Sequence, residues 1–346
     1  MPTADRRTTL RDVARESGVS VSTASRCLSG RGGEYRISAE TVGRVSRAAA
    51  KLNFRPNTAA RSLRTRRSGL VGVVVPDVSN PFFAGLAGAV TPTADEAGKG
   101  VLLADSQFDF EREARLLKDL AGREVEGVVI CSVADSDAHI RTGLGEATPV
   151  VLADREIPGS DFCAVRSDHE GGGRIAAEVL VEAGHRTVGY LQGEPNSQPS
   201  RLRLQGFRGR LAESGLDCPD ELVAGGAFTA ESGRAAAVEL LDRRPDVTAF
   251  FAANVLIVIG ALQHLAAAGR RVPEDLSLIA FDDHPLAEFL AAPLTCVAQD
   301  TTRLGREAGE LLARRIAGEA PESCRRVVPV ELRSRGSVAR PREGGR

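Results

Sequence analysis

Residues 9–30, TLRDVARESGVSVSTASRCLSG, decide the first part of the architecture. Leu10, Val13, Ala14 and Val19 suit a short helix that breaks at Gly18. Ser20 can then cap a second helix running to about Leu28. Two short helices joined by a glycine-containing turn predict a helix-turn-helix, whose second helix enters the major groove of DNA. Val21, Ser22 and Arg26 are the residues placed to reach base edges, with Thr23 and Ser25 placed for phosphates. Arg26 can bind guanine through two hydrogen bonds, and Val21 can offer apolar contact to a thymine methyl. A third helix is expected from Ser38 to Leu52, and its stripe of Val42, Val45, Ala49 and Leu52 is read as packing for the small domain.

Outward from this stretch, charge separates the chain into two parts. Residues 1–67 carry 15 Lys and Arg against 5 Asp and Glu, a net of +10, while the rest carries 30 against 41, a net of -11. A basic head on an acidic body is the electrostatic footprint of a nucleic-acid-binding module joined to a body that should not bind nucleic acid. Between them lies residues 53–69, NFRPNTAARSLRTRRSG, with a helix-starting Pro56 and Asn57 and a run of arginines. It has too few apolar residues to hold a helix alone in water. Two readings stay open: a segment that orders on DNA and a partner copy, with Leu63 as a minor-groove wedge, or a flexible linker.

From Leu70 onward, runs such as LVGVVVP, VLLAD, GVVICS, PVVLAD, TVGYLQG, VTAFFAA and LSLIAFDD alternate with helical patterns. Buried strands each followed by a helix predict doubly wound parallel sheets, and two sets predict two lobes. A length of 346 residues suits a small module joined to such a body. The most apolar stretch, from Ala249 to Gly269, is interrupted by Asn254, Gln263 and His264, and reads as a buried strand leading into a buried helix rather than a membrane span. Arg6 and Arg7 have no apolar segment behind them, so no secretory signal is expected. The six cysteines, Cys27, Cys131, Cys163, Cys218, Cys296 and Cys324, are scattered. They are expected to be buried fillers in a reducing cytosol, not disulfides or metal ligands.

Ligands of doubly wound folds bind beyond the carboxyl ends of the strands. The polar residues there are Asp77, Asn80, Asp105, Asp154, Gln192, Asn254 and Asp282. A ring of Asp and Asn suits a hydroxyl-rich ligand, because each hydroxyl both donates and accepts. Phe82, Phe83 and Phe228 can cover the apolar side of a sugar ring. Helix capping is the competing role, strongest for Asn80 and Asp283. GGGRIAA from Gly171 matches a dinucleotide-binding pattern, yet no convincing acidic residue follows at the end of the next strand. No Walker loop, HExxH or GxSxG occurs, and the five histidines are isolated. Of these, His185 reads as a turn residue, and His284 as a residue able to touch ligand.

The order of motifs, residues 9–30 and then KLNFRPNTAARSLRTRRSGLVGVVVPDVSNPFF from Lys51, resembles the head, hinge and first core strand of the LacI/GalR family. The match continues to about residue 335. The resemblance implies an all-α helix-turn-helix head with a hinge helix, and an α/β two-lobed core like that of periplasmic binding proteins, with two doubly wound parallel sheets. It divides the chain into a head at 1–55, a hinge helix or linker at 56–68, a core at 69–338 and a disordered tail at 339–346. Within the core, one lobe would hold 69–167 with 299–323, and the other 168–298 with 324–338. Val21, Ser22 and Arg26 match base-reading positions. Thr9, Ser20, Thr23, Ser25, Asn57 and Ala60 match DNA-contacting positions, and Leu63 the intercalating hinge leucine. Asp77, Phe82, Phe83, Asp154, Arg203, Phe228, Asn254 and Asp282 are the implied effector-binding set, Arg203 and Asp282 foremost.

The function implied is a cytoplasmic transcription regulator, most simply a repressor. It would act as a homodimer on a near-palindromic operator and respond to a sugar or sugar phosphate, without cofactor, metal, catalytic residue or membrane contact. The competing function is a sugar sensor or enzyme on the same two-lobed fold without operator binding. The chain departs from the family pattern in three places. The segment between Arg26 and Ser38 is about three residues longer than the commonest spacing. Its Tyr35 and Arg36 resemble the fructose and sucrose repressors, either adding a DNA-backbone contact or only packing on the head. Val255 follows Asn254 where the family often has Asp, removing one hydroxyl contact, and with no tryptophan in the chain any stacking falls to phenylalanine. Ser197 stands where purine-responsive members carry arginine, which argues against a purine ligand.

Overall fold

The computed structural model describes residues 8–30, 32–54, 68–320 and 324–342. The chain divides into two compact units between Ser68 and Gly69.

In the first unit, the Thr9 hydroxyl accepts from the Asp12 N–H, and Asp12 Oδ2 accepts from the Thr9 N–H at 2.9 Å. This reciprocal cap starts α1, Leu10–Ser17. Gly18 ends the helix at φ 65°, a left-handed conformation that costs glycine nothing. Ser20 accepts from the Thr23 N–H and starts α2, Val21–Leu28. Ser38 does the same for α3, Ala39–Lys51, through Thr41. Val13, Ala14, Ala24, Cys27, Val45, Ala48 and Ala49 form the core, with Val42 and Leu52 packed against it.

The second unit begins with β1 (Leu70–Val75), α4 (Pro81–Glu96), β2 (Gly100–Asp105), α5 (Phe110–Gly122), β3 (Val128–Ile130), α6 (Ala138–Leu144), β4 (Val150–Asp154) and β5 (Cys163–Ser167). The chain then builds the second lobe from α7 (His169–Glu182), β6 (Val188–Leu191), α8 (Gln198–Glu213), β7 (Val223–Ala224), α9 (Ala230–Arg243), β8 (Ala249–Ala252), α10 (Val255–Ala267), β9 (Ser277–Phe281) and β10 (Thr295–Gln299). It returns to the first lobe for α11 (Thr301–Ile316) and β11 (Arg325–Val328), and crosses once more into β12 (Val330–Arg333).

The first sheet has the order β11-β5-β4-β3-β1-β2, all parallel. The second runs β12-β10-β9-β8-β6-β7, parallel except for β12. Helices cover both faces, so central strands such as Val150–Asp154 and Ser277–Phe281 are buried throughout, which is why their sequences do not alternate.

Four expectations are corrected. β5 and β10, which carry the chain to the two long crossovers, stand outside the strand-like runs singled out in the sequence. Residues 325–328 pair with β5 and belong to the first lobe, whereas the sequence assigned everything from 324 to the second. That parallel pairing sets Ala164 opposite Arg325, so the residues one step earlier, Cys163 and Cys324, face each other and form a disulfide. Cys27, Cys131, Cys218 and Cys296 are free and buried. Finally, the chain is held beyond residue 338. Ala339 O accepts from the buried His185 at 2.9 Å and from Ser277 Oγ at 3.1 Å, and Arg342 pairs with Asp275 at 2.6 Å. His185 thus anchors the C-terminal segment.

Candidate DNA-reading face and ligand cleft

On α2, Ala24 and Cys27 turn into the head core, which leaves Val21, Ser22 and Arg26 exposed on the opposite face. Thr23 and Ser25 lie half-buried at its margin. Ser20 Oγ lies 2.8 Å from both Ser22 Oγ and Thr23 Oγ1, so three hydroxyls cluster where the helix begins. The Arg26 guanidinium stacks over the Tyr35 ring, 3.9 Å from its centroid. The Thr9 hydroxyl is engaged in the α1 cap. Asn57, Ala60 and Leu63, with residues 56–67 of the expected hinge helix or linker, lie outside the described residues.

The cleft between the lobes is lined by Asn80, Phe82, Phe83, Phe108, Asp154, Arg155, Pro199, Arg203, Phe228, Asn254, Asp282 and Gln299. It encloses about 320 Å³ of atom-free space, its open mouth included. Asp154 ends β4 and Asp282 follows β9, so the two carboxylates come from equivalent places in the two sheets. Both adopt left-handed backbone, at φ 69° and φ 74°. Such backbone is unfavourable for residues other than glycine, Asp among the least penalised, and it collects at functional sites.

Arg203 is 3% exposed. Its guanidinium lies 3.6 Å over the Phe281 ring, donates to Ala253 O, and sits 3.3 Å from His169 Nδ1. His169 is fully buried, with Nε2 2.8 Å from Asp154 O. Nε2 therefore carries the proton and donates across the lobes, leaving Nδ1 to accept from Arg203. Close helix packing brings Arg203 here: a Cβ on Gly173 would stand 2.1 Å from Arg203 O, so only glycine lets α7 and α8 meet. The GGGRIAA run is thus a packing device.

Burial acts on four charged or chargeable groups in and beside the cleft, Asp154, Asp282, Arg203 and His169. It raises the carboxyls of Asp154 and Asp282, although Arg155 and Arg203 pull the first back and Arg203 and Gln299 the second. It lowers Arg203 despite Asp282 and Asp154, and drives His169 well below the usual histidine range, helped by Arg203. Each group is pushed toward its neutral form because desolvation outweighs pairing. Arg203 Nε and Gln299 Oε1 are buried without a hydrogen-bond partner, while Gln299 Nε2 donates to Asp282.

Of the expected effector residues, Asp77 is not among those lining the cleft. Its Oδ1 accepts from Ser79 N–H and Ser79 Oγ at 2.8 and 2.6 Å, closing a local turn. Asp105 and Gln192 are likewise held in turns, by Gln107 N–H and Gly225 O, and His284 Nδ1 accepts from Leu286 N–H. Asn80 and Asn254 each cap a helix while lining the cleft, so the two roles coincide. Phe108, Arg155, Pro199 and Gln299 were missed in the sequence. Phe108 stacks on Phe228 across the cleft with centroids 6.4 Å apart, and meets Phe83 edge-on. An aromatic in the loop after β2 was the available signal for it. Gln299 ends β10 at the crossover expected between 298 and 299, where no residue had been singled out as a ligand contact.

No described helix is long and apolar enough to cross a membrane. Among the described residues no group of His, Cys, Asp or Glu could hold a metal ion.

A helix-turn-helix followed by a two-lobed cleft with buried hydrogen-bonding charges defines a DNA-binding regulator with a small-molecule site. Residues 9–57 match the lacI family of bacterial regulatory proteins, and residues 177–338 the periplasmic binding protein-like domain. The HTH-type transcriptional regulator CelR of Thermobifida fusca is 40% identical over 340 residues, covering 96% of this chain and 98% of the relative. The transcriptional repressor CytR of Escherichia coli strain K12 is 32% identical, covering 95% and 96%. A solved complex of CelR with cellobiose matches with a TM-score of 0.72 at 37% identity, covering 96% of this chain and 100% of that one. The lac repressor dimer bound to operator and the anti-inducer ONPF matches with a TM-score of 0.86 at 27% identity, with the same coverage. The chain belongs to the lacI family of transcription regulators.

Proposed function

We propose that this regulator is a cytoplasmic repressor that binds a near-palindromic operator as a homodimer and releases or retains it according to a neutral, hydroxyl-rich ligand, a sugar, in the cleft. Operator contacts fall to Val21, Ser22 and Arg26 at base edges and to Thr9, Ser20, Thr23, Ser25, Asn57 and Ala60 at the backbone, with Leu63 in the minor groove. Residues 56–68 serve as the hinge between the head at 1–55 and the core. The observation that carries the ligand assignment is the cleft's balance of charge. The ionisable groups lining it are two aspartates and two arginines, Asp154, Asp282, Arg155 and Arg203. A site with no net charge gains nothing from a phosphate. Hydroxyls, by contrast, can donate to the two carboxylates and accept from Arg203 Nε. Phe82, Phe83, Phe108 and Phe228 supply an apolar wall for a ring face. No step of this mechanism makes or breaks a covalent bond.

Two heads on a symmetric site require a dimer. Closure of the lobes on ligand alters the spacing of the two hinge segments and so the operator affinity. Such coupling is about 1–3 kcal/mol and reciprocal, so operator weakens an inducer by the factor by which inducer weakens operator. Operator selection from a random pool, repeated with sugars and sugar phosphates at one fixed salt concentration, tests this. Cellobiose belongs in the panel because a relative has been solved with it. Enrichment of a palindrome whose binding responds to one neutral sugar is the expected result. Response to a sugar phosphate alone would overturn the ligand class, and failure to enrich any site would overturn operator binding.

A further inference from the structure

Residues 32–38, which lead into α3, form a built turn. Gly33–Tyr35 make one turn of 3₁₀ helix, closed by Arg36 in left-handed backbone at φ 52° with its N–H donating to Gly33 O at 3.1 Å. The Ile37 N–H donates to Gly32 O at 2.9 Å, and Ile37 packs on the head core. Gly32 lies so close to α3 that a Cβ there would stand 2.9 Å from Val42 Cγ2. The turn is therefore pinned at both ends to the core of the head. It presents Tyr35, 42% exposed, to α2, where its ring lies under the guanidinium of Arg26.

We infer that Tyr35 is a positioning residue for base readout: its ring face holds the Arg26 guanidinium in the plane in which it meets a guanine edge. The inference rests on the assignment of Arg26 as a base-reading residue. A long exposed arginine samples many rotamers, and ordering it on DNA costs conformational entropy. A ring beneath the guanidinium leaves its edge donors available and favours a narrower set of orientations before DNA arrives. The two-hydrogen-bond contact to guanine is planar, so orientation affects discrimination more than total affinity.

The test uses the full-length protein on its selected operator at fixed salt, with every base position varied singly. Tyr35→Ala should lower the preference for guanine at the position read by Arg26 by about two- to fivefold, the worth of an exposed cation–ring contact. Preferences elsewhere should hold, and Tyr35→Phe should retain the native preference because it keeps the ring. In an Arg26→Ala background, Tyr35→Ala should change nothing further. An unchanged preference in Tyr35→Ala, a uniform loss across all sequences, or a Tyr35→Phe variant that behaves like Tyr35→Ala overturns the inference. If Arg26→Ala itself leaves every preference intact, the assignment of Arg26 fails and the inference falls with it. If Arg26→Ala erases the preference and Tyr35→Ala does not weaken it, only the role of Tyr35 fails.

Discussion

The head and the cleft place functional side chains by opposite means. On α2, one helix supplies Val21, Ser22 and Arg26, and its other face joins a core of small buried side chains against which Leu10, Ile37 and Phe54 pack. The contacting atoms stay in water until a partner covers them. In the cleft, Asp154, Arg203 and Asp282 come from three distant parts of the chain, and each is almost wholly buried. Burial pushes them toward their neutral forms, and neighbours from both lobes offset part of that push. A helix-surface site can therefore change residue by residue at little cost to folding. The cleft couples recognition to stability, since removing one charge strands the others.

This contrast sets the order of expected effects. Arg203→Leu should be the most damaging substitution, because it leaves the buried Asp154 and Asp282 facing one fewer cation. Stranding a buried charge costs about 3–5 kcal/mol, to be read as a fall in the urea unfolding midpoint together with loss of sugar response. Arg203→Lys restores a charge but not the planar fork, so it should recover part of the stability and little of the response. A full response in Arg203→Leu would remove Arg203 from the site. Arg26→Ala should cost about 1–3 kcal/mol of discrimination at one operator position while leaving the unfolding midpoint and the sugar response unchanged. A fall in the midpoint there would mean that the head, too, ties readout to folding.

The same contrast explains what could be read from the sequence. The head was legible because its signals are local: Thr9, Gly18, Ser20 and Ser38 each act within four residues of where they stand. The strand ends Asp154, Asn254 and Asp282 were legible because fold class alone fixes where such residues point. Asp77 shows the limit of that rule, since position after a strand does not distinguish a ligand contact from a turn closed on Ser79. The allotment of residues 325–328 to the first lobe depends on which strand pairs with which across some 160 residues. No local pattern carries that information, and the Cys163–Cys324 pair went unseen for the same reason.

Acidity should also divide the two regions. His169 titrates well below the usual range of 6.5 in the folded chain, because burial and Arg203 oppose its charged form. A depressed folded value means that the unfolded chain binds the proton first. The stabilisation is thus whole above 6.5 and is lost as pH falls below it, by at most about 1.4 kcal/mol per pH unit for one proton. Protonation would also put an N–H on Nδ1 facing Arg203. Unfolding midpoints and sugar affinity should decline together from pH 7.5 toward 5.5, and His169→Gln should flatten the stability profile. Asp154 and Asp282 are raised above 3.8, so their contribution has the opposite sign, favouring the fold at low pH and fading as pH rises through their folded values. A profile for His169→Gln as steep as the native one would place the acid sensitivity elsewhere.

The smallest effect separates two roles at one exposed residue of the head. Thr9 matches a DNA-contacting position of the family, yet its hydroxyl donates to Asp12 Oδ2 at 2.6 Å and caps α1. If the cap is the whole of its role, Thr9→Ala costs about 1 kcal/mol of head stability and weakens operator binding only as far as the head unfolds. Thr9→Ser keeps the cap and should restore both. If Thr9 also bonds a phosphate, Thr9→Ala weakens binding to operator and to unrelated DNA alike, even at temperatures where the head is fully folded. A phosphate contact adds affinity without sequence preference, whereas a cap adds none once folding is complete. Binding measured well below the melting temperature, on both kinds of DNA, tells the two apart.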